Sequence, residues 1–188
     1  ARLIAKSDTY MTQAIGGSIL AFGPGYGGFD RLGNSIDRYV HRVKDENLTY
    51  LEAARLFIDE YYGLMENKGR TTLGISNLDL KNPIPKRMLN KAKQLNVVGD
   101  NTKFIEALEK AAQEKTKEPV AIDMFGATCA TMLDLKFTPE AIWTIIAIVR
   151  AYAAGAQAIE EVEAEPKSAF SSTLTPKDFY IGPDGKSI

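Results

Sequence analysis

The sequence predicts an all-α fold, on three observations. Apolar residues recur at helical spacing through most of the 188 residues, helix-start signals stand where those runs begin, and no alternating apolar/polar run suggests a sheet. The apolar fraction of 45% is ample for a core, and the length suits one domain, or one domain with a small lobe.

The elements follow in order. A first helix is expected over Asp8 to Phe22, with Gly16-Gly17 permitting close approach of another helix. Gly23-Pro24-Gly25-Tyr26-Gly27-Gly28 is a loop that no helix could contain. Leu32, Ile36, Tyr39, Val40 and Val43 then make an amphipathic stripe. Thr49 with Glu52 forms a capping box that starts a helix reaching about Asn67 through Ala54, Phe57, Ile58, Tyr61 and Met65. Asn67 to Pro85 is the longest irregular segment; its apolar content argues for order, and a loop this long is usually functional. Helices are expected at Pro85–Leu95, Asn101–Lys117 and about Asp123–Leu135. The tail from Pro166 is polar and reads as extended, and there is no internal repeat.

The last helix is expected from Thr138, a good N-cap followed by Pro139 and Glu140, to about Glu163. Between Ala141 and Ile159 its one charged residue is Arg150, and apolar residues cover nearly the whole circumference. The helix should therefore be buried on most sides, with a buried guanidinium that needs an anionic or hydrogen-bonding partner. Two readings stand open for Arg150: a structural salt bridge, or a receptor for a substrate carboxylate. The stretch is long enough to raise a membrane span, but the central arginine and the flanking Glu160, Glu161, Glu163 and Glu165 favour a core helix.

Net charge is −1, so the chain as a whole offers no electrostatic case for nucleic acid or an acidic membrane. Cys129 is the one cysteine, which excludes an internal disulfide framework and fits a reducing, cytoplasmic compartment. Cys129 itself reads as a small core residue. The one histidine, His41, lies on the polar side of the second helix and reads as a surface residue; no Cys/His cluster exists for a zinc site, and Ser/His/Asp catalysis has only this histidine to work with. The glycine run lacks the ending of a phosphate-binding Walker loop. Asp123 is flanked by Ile122 and Met124 at the start of an apolar helix. Such a carboxylate can be a helix N-cap or a general base. No signal peptide is visible, and the chain opens without an initiator Met in what reads as the middle of an element, suggesting a fragment.

Four ordered blocks, together with the tail, resemble the citrate synthase superfamily, particularly its short citryl-CoA lyase-like members. The helix from Ala1 with the loop Gly23 to Gly28 looks like the family's GPxHGG loop; Leu73-Gly74-Ile75-Ser76-Asn77-Leu78 with Lys81 and Pro85-Lys86 looks like PGFGHxV…K.DPR. Ile122-Asp123 with Phe137-Thr138-Pro139-Glu140 resembles NVD…GFPPE, and Val149-Arg150-Ala151 resembles the ART/SRA helix. Glu165-Pro166-Lys167-Ser168 and Tyr180-Ile181-Gly182-Pro183 are similar to its endings.

The resemblance implies a citrate synthase-like helical fold lacking the usual N-terminal helices, with 1–50 and 136–188 in a large domain and 51–135 in a small one. It implies a homodimer, with a separate N-terminal fragment or subunit as a further partner, a CoA thioester and a small carboxylate as substrates, and no metal. Asp123 falls on the family's base, Arg150 on a carboxylate-holding arginine, and Lys86 on another. Leu73, Gly74 and Ile75 fall on the loop that cradles the adenine of CoA, and Lys81 on the residue that reaches its phosphates. The two catalytic histidines are replaced by Tyr26 and Asn77, which can still donate hydrogen bonds to an oxyanion but cannot shuttle protons as histidine does. The arginine contributed across the dimer falls near Glu165. These departures point away from citrate itself. They leave three readings: a divergent acyl-CoA carbon–carbon synthase or lyase, a non-catalytic CoA-thioester-binding or regulatory subunit, and a helical interaction module.

Overall fold

Seven helices and one short strand pair make up the described residues of this computed structural model, which are 10–20, 28–68, 74–76, 80–117 and 119–164. The helices are α1 (Met11–Leu20), α2 (Phe29–Asp45), α3 (Tyr50–Lys68), α4 (Ile84–Gln94), α5 (Asp100–Thr116), α6 (Met124–Asp134) and α7 (Pro139–Ala164). The strands are β1 (Ile75–Ser76) and β2 (Ala121–Ile122). The chain is all-α, as its periodicity requires.

The start signals act as the sequence says. Thr49 and Glu52 form a reciprocal capping box, with Thr49 N–H donating to Glu52 Oε2 (2.7 Å) and Glu52 N–H to Thr49 Oγ1 (3.2 Å). Thr138 Oγ1 accepts from Ala141 N–H at 3.2 Å, capping α7.

The chain divides into two units, Gly23–Ile146 and a second built from Ala1–Phe22 with Ala147–Ile188. In the Gly23–Ile146 unit α6 is the central element: α2, α4 and α5 all pack on it. Its small residues Gly126, Ala127, Thr128, Cys129 and Ala130 are buried, which lets three helices approach. Beside it the rings of Tyr39, Phe57 and Phe104 meet with centroids 5.2 to 6.1 Å apart, in edge-to-face and stacked pairs that hold α2, α3 and α5 together. Cys129 is fully buried, as its apolar setting implies, and its Sγ donates to the Phe29 carbonyl at 3.4 Å. Burial and the negative charges of Asp123 and Asp30 push its thiol up to about 12, so it stays protonated. His41 is exposed, 3.7 Å from Asp37.

In the other unit, Ala14 of α1 and Ala158 of α7 are buried together. A Cβ on Gly16 would meet nothing within 4 Å among the described residues, whereas on Gly155 of α7 it would lie 3.5 Å from Ile15 Cδ1 of α1. The expectation of a helix buried on most sides fails. Ile148, Val149, Tyr152, Ile159 and Val162 are exposed, Tyr152 by 80%, and Arg150 is exposed rather than buried. An apolar circumference buries only where other elements surround it, and among the described residues of this unit α1 alone stands beside α7. By length and composition Pro139–Glu163 also meets the requirement for crossing a membrane.

Candidate active site

The site is built where the long irregular segment meets the start of α6. β1 and β2 pair antiparallel, Ile75 opposite Ile122 and Ser76 opposite Ala121. Nothing in the sequence signals these strands, because two residues are too few to show an alternation. Side chains of α5 anchor β2: Glu109 Oε1 accepts from Ile122 N–H at 3.0 Å, and Gln113 Nε2 donates to the Val120 carbonyl at 2.8 Å.

The ladder ends in a close backbone contact. Asp123 N–H donates to the Gly74 carbonyl at 3.1 Å. Gly74 has φ +76°, a left-handed conformation that favours glycine, and it is buried. A Cβ on Gly126 would stand 2.1 Å from the Gly74 oxygen, and a Cβ on Gly74 would stand 2.8 Å from Gly126 Cα. Only two glycines allow this approach.

Asp123 is the N-cap of α6, its Oδ1 accepting from Gly126 N–H at 2.9 Å. The two readings of Asp123 are compatible, since the cap fixes the direction of a carboxylate that can also take a proton. The preceding wall comes from α2. Phe29 stacks on Phe125, ring centroids 4.7 Å apart, and so ties the end of the glycine run to the start of α6.

Of the residues singled out from sequence, the fold brings Gly74 directly against Asp123, and Ile75 pairs with the preceding residue, Ile122. Gly74 offers only backbone there. Lys81 and Lys86 are exposed, in the turn before α4 and in its first turn, within the same unit. Arg150 belongs to the other unit. Tyr26, Asn77 and Leu73 lie outside the described residues. Among the described residues no three His, Cys, Asp or Glu side chains gather as a metal-ligand group.

Two carboxylates went unnoticed in the sequence. Asp134, at the far end of α6, accepts from Gly99 N–H (2.7 Å), Asn101 N–H (3.0 Å), Asn101 Nδ2 (2.9 Å), Thr102 N–H (3.0 Å) and Thr102 Oγ1 (2.6 Å). It thereby caps α5 from outside, where Gly99 provides no side chain. Asp30, the second residue of α2, has a buried Oδ1 with no hydrogen-bond partner. In sequence both look like ordinary helix-terminal acids.

No family model matches the chain, and no curated protein matches it by sequence. A solved structure, that of citryl-CoA lyase from Hydrogenobacter thermophilus, matches in fold with a TM-score of 0.71 at 20% identity. The match covers 95% of this chain and 66% of that one. The fold is therefore the citrate synthase-like helical fold that the ordered sequence blocks imply, present over about two thirds of that neighbour's length.

Proposed function

We propose that the chain forms or cleaves a carbon–carbon bond next to the thioester of an acyl-CoA. One observation carries the reading. The segment that the resemblance assigns to CoA, Gly74 and Ile75, is hydrogen-bonded to the residue that it assigns as base, Asp123. These positions lie far apart in sequence, and a thioester held along β1 would present its α-carbon near α6. The fold likeness to a citryl-CoA lyase supports the same class of chemistry.

In this reading Asp123 removes or returns the α-proton, and Tyr26 and Asn77 donate to the enolate and keto oxygens. Lys81 meets the CoA phosphates; Arg150 and Lys86 hold substrate carboxylate. The substrate carries fewer carboxylates than citrate, because the family's cross-dimer arginine falls near Glu165, a reversal of charge. A homodimer, a cytoplasmic setting and the division into a large domain (1–50 and 136–188) and a small one (51–135) complete the proposal.

The decisive experiment is solvent deuterium exchange at the α-carbon of acetyl-CoA. Wild-type protein exchanges the protons and Asp123→Asn, which keeps the cap, loses about 100-fold or more of that rate. Equal exchange by both proteins would sink the assignment. Acetyl-CoA binding without exchange in the wild type would favour the non-catalytic subunit. Absence of CoA binding, with no response to Lys81→Ala, would favour the interaction module.

A further inference from the structure

Three buried side-chain oxygens in the described residues have no hydrogen-bond partner: Asp30 Oδ1, Asn101 Oδ1 and Thr131 Oγ1. Asn101 is engaged through its amide nitrogen, and Thr131 is a neutral hydroxyl. Asp30 is the carboxylate of the three, and a shielded acidic oxygen without a donor is the costliest to keep. The other acids around α6 are employed: Asp134 accepts five hydrogen bonds, Glu109 anchors β2, and Asp123 caps.

Its placement is not that of a helix cap. The N-cap of α2 is Gly28, in the left-handed region at φ 56°, with no side-chain cap bond. The neighbouring ring of Phe29 lies on Phe125, two residues beyond Asp123. Cys129 Sγ donates to the Phe29 carbonyl. Asp30 therefore follows directly on a residue that is fastened to α6 at both Phe125 and Cys129.

Cleavage next to a thioester needs two proton movements. The β-hydroxyl must lose a proton while the α-carbon gains one, and Asp123 accounts for one of these alone. Neither tyrosine nor asparagine at positions 26 and 77 replaces a histidine as a proton acceptor near neutral pH. We infer that Asp30 is the second acid–base group of the site, receiving the hydroxyl proton of a 3-hydroxyacyl-CoA through the oxygen that the fold leaves without a donor. This rests on the acyl-CoA reading above.

The step balances. The substrate O–H bond breaks and its proton passes to Asp30, while its electron pair forms the new C=O. The Cα–Cβ bond breaks, and its pair moves onto the α-carbon and into the thioester as an enolate. Asp123, protonated at the outset, delivers its proton to the α-carbon. Synthesis is the reverse, with Asp30 protonating the keto oxygen as the bond forms.

The test uses Asp30→Asn on the full chain, with three readouts. Acetyl-CoA exchange, in which no hydroxyl proton moves, stays within about twofold of wild type. Cleavage of malyl-CoA, a 3-hydroxyacyl-CoA with one free carboxylate, falls about 100-fold or more, in kcat rather than KM. Without ligand, Tm is unchanged or rises by about 2–4 °C, because the oxygen that is altered has no donor to lose. A lowered Tm, or failure to fold, would make Asp30 structural and overturn the inference. Unchanged cleavage, or an equal loss of exchange and cleavage, would overturn it too. Wild-type protein that neither exchanges acetyl-CoA nor cleaves malyl-CoA removes the acyl-CoA reading itself, and the inference with it. Normal wild-type exchange with an unaffected Asp30→Asn removes the inference alone.

Discussion

The two ends of α6 use an aspartate in opposite ways. At the C-terminal end Asp134 spends both oxygens on five donors from the first turn of α5. At the N-terminal end Asp123 caps its own helix, its Oδ1 accepting from Gly126 N–H, and Asp30 of α2 has a buried oxygen with no donor. A saturated carboxylate is a fastener: its proton affinity is tied up in holding backbone. Asp30 Oδ1, by contrast, is shielded with no donor to hold it. The C-terminal end of this eleven-residue helix is thus a fastener, and its N-terminal end is where the proposed chemistry falls.

The sharpest way to break this contrast is to remove the fastener. Asp134→Ala should cost about 3 kcal/mol in denaturant unfolding, because it strands three backbone N–H groups and a hydroxyl at the start of α5. A cost under about 1 kcal/mol would mean that water replaces it and that the ends are alike. At the other end Gly126→Ala should cost about 2–3 kcal/mol, since the new methyl would collide with the Gly74 carbonyl.

Asp123 gives a smaller and more selective effect. Asp123→Ala should lose about 1 kcal/mol with the cap, whereas Asp123→Asn should lose almost none of the stability while losing α-proton exchange. Equal stability losses for the two variants would show that charge, not capping, is what the helix uses. The smallest effect concerns Asp100, whose carboxyl is held well below the usual range by hydrogen bonds from Lys44 and then Tyr50. A folded pKa below the unfolded one adds stability above the ordinary carboxylate range, and that stability disappears as the pH falls through the folded value. Asp100 is partly solvated, so the contribution is about 0.5 kcal/mol. Unfolding of Asp100→Asn should match wild type at low pH and fall slightly behind at neutral pH.

Much of the fold was legible because helix starts are local. Thr49, Glu52, Thr138 and Asp123 sit within three residues of the groups they satisfy, so spacing alone finds them. Asp134 was illegible for the opposite reason: its partners are 32 to 35 residues upstream, and Gly99-Asp100 reads as though Asp100 capped α5. Asp30 looks like a first-turn acid placed for the helix dipole, and only the tertiary surroundings show an oxygen without a donor. The face of α7 misled because an apolar circumference states what a helix can bury, not how many neighbours it has. Of the site, the Asp123 and Gly74 neighbourhood was foreseeable through ordered motifs, whereas the ladder that joins them was not.

The crossing of Gly74 and Gly126 has a consequence for mutational scanning. Both positions reject any side chain by collision, whatever the chain's chemistry. In a library selected for abundance alone they should stand out as two intolerant sites, 52 positions apart. Selection for turnover should add Asp123 and Asp30 to that set. The pair of glycines thus supplies an internal reference: a variant set can be sorted into those that never reach the folded state and those that reach it without working.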